Sequence, residues 1–195
     1  MSKCLLCNKK IKIHRSCQAL NAEICSTCCG TKINKEIKCT DDCGYFIESI
    51  IKENKKSIMK LVKESFNEVY PDLFQEEKVL DVVGPFEVFL LQDYYKNREV
   101  NDEFLFECFM KMYYSLEGKG EIYIYNTYEF KIIDEFKKIA VDTKTDIELQ
   151  KRILLRLMKS IEQMTGGMFR NRMYFELLRG QFTGTVNIAP MFDQE

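Results

Sequence analysis

Eight cysteines fall within 40 residues, in the groups Cys4-x2-Cys7, His14-x2-Cys17, Cys25-x2-Cys28-Cys29 and Cys39-x3-Cys43. The ninth, Cys108, stands alone. A segment this short has little core of its own, so its fold depends on what those sulfurs hold. The leading Met1-Ser2-Lys3-Cys4 has no apolar stretch of the secretory kind, and no run approaches the ~18 uncharged apolar residues of a membrane span. A cytoplasmic, intracellular chain with no membrane contact is therefore expected. In that reducing compartment clustered thiols act as metal ligands rather than disulfides.

The spacings suit zinc. Zinc takes four soft or borderline ligands in a tetrahedron, and a Cys-x2-Cys turn brings two thiolates together while backbone amides point at the sulfurs. Cys4-Leu5-Leu6-Cys7-Asn8-Lys9 has the form of such a knuckle. The closing pair, Cys39 and Cys43, precedes a long amphipathic run, which places Cys43 at the first turn of a helix, where the dipole favours a thiolate. A knuckle first and a helix-borne pair last is a treble-clef arrangement.

Four ligand groups are too many for one ion, so two zinc ions are expected. Cross-bracing, which joins the first group to the third and the second to the fourth, locks a short chain best. It gives Cys4, Cys7, Cys25 and Cys28 at one ion and Cys17, Cys29, Cys39 and Cys43 at the other. A competing set uses His14 with Cys17 and Cys25 with Cys29, and leaves Cys28 spare. With eight cysteines both tetrahedra close, so the zinc is structural and no position remains for a reacting water.

This layout resembles the cross-braced double-zinc fingers of the MYND and HIT type. Cys25-x3-Cys29 and Cys39-x3-Cys43 correspond to their last two ligand pairs, with Cys39 in the place of a histidine. The gap between Cys17 and Cys25 is longer here, and Cys28-Cys29 is doubled. The resemblance covers under a quarter of the chain. It implies a role in protein–protein contact.

Charge divides the chain. Residues 1–45 carry eight Lys/Arg against four Asp/Glu, residues 46–145 fourteen against twenty, and residues 146–195 seven against six, for a total of −1. Eight thiolates and two zinc ions bring the first segment close to neutral, so its lysines offset thiolate charge and also help to depress thiol pKa. A near-neutral total argues against a chain that binds nucleic acid with its whole surface.

Beyond the cysteines the pattern is helical. Ile47, Ile50, Ile51, Ile58, Leu61, Val62, Phe66 and Val69 recur at three- and four-residue spacing up to Pro71. A second helix is expected after Gly84-Pro85, a third over 102–116, and further ones over 127–140, after a Thr145/Glu148 capping box, and near 168–179 with Gly180 as a cap. Residues 121–125 form the one strand-like run. The expected fold is mainly α: a double-zinc finger at 1–45 fused to an all-α, bundle-like domain at 46–195, with at most one short strand pair. Cys108, in the most apolar helix, reads as a buried core thiol.

Enzyme signatures are missing. Gly118-Lys119-Gly120 lacks the rest of a phosphate-binding loop, no Gly-x-Ser-x-Gly occurs, and there is one histidine. The expected function is that of a zinc-binding adaptor or regulator acting through a protein partner. The alternative is a nucleic-acid binder using the finger lysines and the basic stretch 151–179, which contains Lys151, Arg152, Arg156, Lys159, Arg170, Arg172 and Arg179. An unrecognised enzyme comes third.

Overall fold

The computed structural model describes residues 2–33, 35–64, 73–119, 124, 126–166 and 171–182. The chain forms two compact units, Met1–Ser57 and Ile58–Glu195. The division falls inside a helix, at a later position than the 45/46 boundary expected from the cysteines.

In the first unit, strand β1 (His14–Cys17) pairs antiparallel with β2 (Ala22–Cys25), with His14 opposite Cys25 and Cys17 opposite Ala22. A single 3-10 turn, Gln18–Leu20, joins them, and Asn21 closes it at φ 45°. Asparagine tolerates that left-handed conformation better than most residues. Helix α1 (Ser26–Lys32) follows directly, and α2 (Gly44–Glu64) begins after the last cysteine pair. The carbonyl of Cys43 accepts the amide of Ile47 at 3.0 Å, so Cys43 caps α2 from the position just before its first turn. Ile11, Ile24 and Ile37 are buried with Cys4, Cys17, Cys28 and Cys29 in one small core. Four of these seven residues are cysteines.

The second unit contains α3 (Glu77–Tyr94), α4 (Asp102–Leu116), α5 (Thr127–Asp142), α6 (Ile147–Thr165) and α7 (Met173–Gln181). The mainly helical class, with one strand pair among the described residues, is as the sequence predicts, although the pair lies in the cysteine module. The strand-like run 121–125 lies outside the described residues except for Ile124, as do Phe66, Val69, Pro71 and Arg170.

Helix α3 corrects one expectation. It starts before Gly84-Pro85 and runs through both residues. Proline removes one helical hydrogen bond and costs about 3 kcal/mol in a helix interior. Here Val79, Val82, Val83, Phe86, Leu90, Leu91 and Tyr94 form one buried stripe that spans the break. Burying such side chains contributes about 1.5–3 kcal/mol each, enough to override the local penalty. Phe86 sits at the centre, with its ring 5.8 Å from that of Phe109 on α4 and 5.2 Å from that of Phe136 on α5.

The remaining helices are defined by their ends. Asn101, Asn126 and Asp146 each accept an amide three residues on, at 2.9–3.0 Å, and so start α4, α5 and α6. Asp146 therefore caps α6, one residue later than the Thr145 box predicts; the Thr145 hydroxyl instead bonds that of Thr143 at 2.7 Å. Gly118 at φ 67° and Gly166 at φ 56° follow α4 and α6, as helix-stopping glycines should. Gly180 lies within α7 and does not cap it. Helix α7 is anchored by Asp102, whose buried carboxylate accepts the Tyr174 amide at 3.3 Å. Cys108 is buried in α4, and its thiol is pushed well up by that burial.

Candidate metal centre

Four of the expected ligands converge. The sulfurs of Cys4, Cys7, Cys25 and Cys28 all lie within 4.8 Å of one another. They arrive on two local devices, Cys4 and Cys7 on the knuckle and Cys25 and Cys28 at the start of α1. The knuckle turns at Asn8, which has φ 57° and donates its amide to the Cys4 carbonyl at 2.8 Å. The Cys4 amide reaches the Lys9 carbonyl at 2.9 Å, which folds Cys4 and Cys7 onto the same side of the turn. Cys25 ends β2 and is the N-cap of α1, its sulfur accepting the Cys28 amide at 3.4 Å. Cys28 lies one turn into α1.

The donor set fits a metal ion of the zinc type. A tetrahedron with Zn–S bonds of about 2.3 Å has sulfur–sulfur edges of roughly 3.8 Å, and the Cys7 and Cys25 sulfurs are 3.9 Å apart. The electrostatics also call for a cation. Burial raises the Cys4 thiol, but the amides of Cys25, Cys7 and Leu6 aimed at its sulfur bring it down to about 6. Cys28 is pushed the other way, to about 12, by burial and by the neighbouring sulfurs of Cys25, Cys7 and Cys4. Four thiolates crowd too much negative charge into a buried volume, and a divalent cation relieves it. The Lys32 ammonium, paired with Glu36 and drawn also by Cys28 and Cys4, adds positive charge at the end of α1.

The other four cysteines do not converge in the same way. Cys17 and Cys29 are buried in the module core, and Cys39 and Cys43 are half-buried. Among the described residues, the Cys4, Cys7, Cys25 and Cys28 group is the one set of three or more potential ligands with such spacing. His14 is half-exposed, with Nδ1 2.7 Å from a Glu23 carboxylate oxygen. Cys28, the spare thiol of the competing set, stands inside the four-sulfur group.

The basic stretch of the second unit is largely internally engaged. Lys151 pairs with Glu117 and with Glu148, Arg152 with Glu76 at 3.5 Å, Lys159 with Glu162 at 2.9 Å and Arg179 with Glu176 at 3.4 Å. Arg172 donates to the Tyr94 carbonyl at 2.7 Å. No helix among the described residues is long and apolar enough to cross a membrane.

Comparison of the chain with protein-family models, with curated proteins and with solved structures finds no match.

Proposed function

We propose that this protein is a zinc-binding adaptor or regulator, in which the N-terminal unit is a structural zinc module and the molecule works through contact with protein partners. The observation that carries the reading is the all-sulfur composition of the Cys4, Cys7, Cys25 and Cys28 group. Four thiolates complete a tetrahedron and leave no open position for water or substrate, so the ion holds the fold and does not perform chemistry.

A second zinc belongs to the same proposal, on Cys17, Cys29, Cys39 and Cys43. Its support is that Cys17 and Cys29 share one small core, with Cys39 packed against it. Thr40 donates its hydroxyl to the Gln18 side chain at 3.2 Å, which ties the loop carrying Cys39 and Cys43 to the residue beside Cys17. Leu5 and Ile13, 62% and 64% exposed on the module, offer apolar contact surface. The carboxylate partners of the basic α6 and α7 residues favour a protein partner over nucleic acid, because a phosphate backbone would have to compete with them.

Metal analysis of protein made in zinc-replete cells, combined with co-purification from native cells before and after nuclease digestion, tests this function. Two zinc per chain and a protein partner retained after nuclease are expected. A metal-free module, or partners lost with nucleic acid together with steep salt-sensitive binding to DNA or RNA, overturns it.

A further inference from the structure

The second unit holds a cavity of about 140 Å³ between α3, α6 and α7, beside Phe74. That is close to the ~150 Å³ of an engineered apolar cavity that admits benzene. This one is not apolar. Glu87 of α3 enters it with a buried carboxyl that accepts the Tyr174 hydroxyl at 2.7 Å. Arg156 of α6 enters from another side, its guanidinium 4.5 Å from the centre of the Phe74 ring and its Nη1 donating to the Ser160 hydroxyl at 2.6 Å. Each of the two groups holds a hydroxyl from α6 or α7, and the two also attract one another across the cavity. Phe74, Met164 and Leu177 supply the apolar part of the lining, and Gln163 and Gln181 add two side-chain amides.

A purely structural core has little use for such an arrangement. Taking an acid and a guanidinium out of water costs several kcal/mol per ion before their interactions are counted, and apolar side chains of similar volume often serve stability as well or better. Small-molecule sites combine apolar contact with a few polar groups fixed by packing, and this cavity, most of whose lining residues are polar, suits a ligand that is itself largely polar. The charges also limit the occupant. A simple anion drawn to Arg156 meets Glu87, and a simple cation drawn to Glu87 meets Arg156. A molecule carrying both charges is attracted by both residues.

We propose that this cavity binds a small zwitterion of amino-acid size, with its carboxylate on Arg156, its ammonium on Glu87 and a short apolar side chain against Phe74, Met164 and Leu177. The helical unit would then sense a free amino acid, independently of what the zinc module does.

The experiment uses the full, zinc-loaded chain at about pH 8, above the value of about 7 to which burial raises Glu87, and titrates it with free alanine, valine, leucine and methionine by calorimetry and by NMR. In parallel it uses the same amino acids with the amine acetylated or the carboxyl converted to an amide. Saturable binding of at least one free amino acid is expected, with loss of binding when either charge is blocked. Arg156→Gln and Glu87→Gln are each expected to weaken binding at least about tenfold, the loss of one charge-assisted contact, with zinc content unchanged. Absence of saturable binding by all four, equal binding of the blocked forms, or unchanged affinity in both folded variants overturns the proposal. Should a variant fail to fold, the comparison of free and blocked amino acids on the wild-type chain decides alone.

Discussion

The backbone amide of Cys25 donates to the sulfur of Cys4 at 3.3 Å, across 21 residues of sequence. It joins the end of β2 to the knuckle and favours the thiolate at Cys4. The Leu5 amide reaches the Glu23 carbonyl at 3.4 Å and reinforces the same junction. The two bonds hold the first and third ligand pairs face to face. The identity of the ligands is testable one residue at a time.

Replacing Cys28 with serine is expected to lower zinc content by one ion per chain, because its tetrahedron loses a ligand. His14→Ala is expected to leave zinc content unchanged, since the ring faces Glu23. Cys108→Ser, far from the module in sequence and buried in α4, serves as the control. Metal analysis of the three variants reads the result, and zinc loss in His14→Ala with none in Cys28→Ser would favour the competing ligand set.

Removing zinc with a chelator is expected to unfold the first unit. Structural zinc supplies about 10–16 kcal/mol of apparent binding free energy in small modules, and here four of the seven buried core residues are cysteines. Hydrogen exchange should show amides of β1, β2 and α1 losing protection on chelation, while those of α4 and α6 keep theirs. Retained protection in β2 and α1 without metal would show that the three isoleucines suffice.

Phe86→Ala is expected to destabilise the second unit by about 3–5 kcal/mol, the cost of a large cavity at a fully buried aromatic. Denaturant unfolding followed by far-ultraviolet circular dichroism measures it, with zinc content as the readout that should not move. A loss under about 1 kcal/mol would mean that α3, α4 and α5 close over the gap.

Glu87 predicts a pH dependence. Burial raises its carboxyl from 4.5 to about 7, against the opposing pulls of the Tyr174 hydroxyl and of Arg156. Between those values the folded state keeps a proton that the unfolded chain has released. The stability contribution is therefore fully present below 4.5 and falls as pH rises to about 7, by up to about 1.4 kcal/mol per unit. Glu87→Gln keeps an acceptor for Tyr174 and removes this slope, so the variant should gain on wild type as pH rises through the window. Asp102, raised by burial from 3.8 to about 6, has the same sign and remains in both proteins. Parallel pH–stability curves would contradict the assignment.

Much of this was legible in the chain itself, and the failures have physical causes. The apolar periods of 102–116 and 127–140 mark α4 and α5 because each helix packs one continuous face. Gly84-Pro85 misleads, because a local propensity says nothing about the stripe of valines and aromatics on both sides of it. Helix α1 escapes notice because Ser26-Thr27-Cys28-Cys29-Gly30 are poor helix formers, held by a cap and by sulfur contacts. The four-residue strands carry too few apolar positions to alternate, and Asn21 is their only turn signal. The Cys4, Cys7, Cys25 and Cys28 grouping was readable once the first cysteine pair was joined to the third, a choice that chain order alone leaves open. The Glu87–Tyr174 contact spans 87 residues. Arg156 looks like one more cation on a basic face, and no local pattern announces that it shares a cavity with Glu87.

Cys25 holds two posts at once, as N-cap of α1 and as a member of the sulfur group. Helix α1 has only seven residues, too few to persist in water on its own. An alkylating agent or oxidant that takes the Cys25 sulfur therefore does more than subtract one ligand. It uncaps the helix, and the helix carries Cys28 and Cys29. Damage at a single atom spreads to three sulfurs, so the module should fail all at once rather than by degrees, and its loss should look to a spectroscopist like a helix melting.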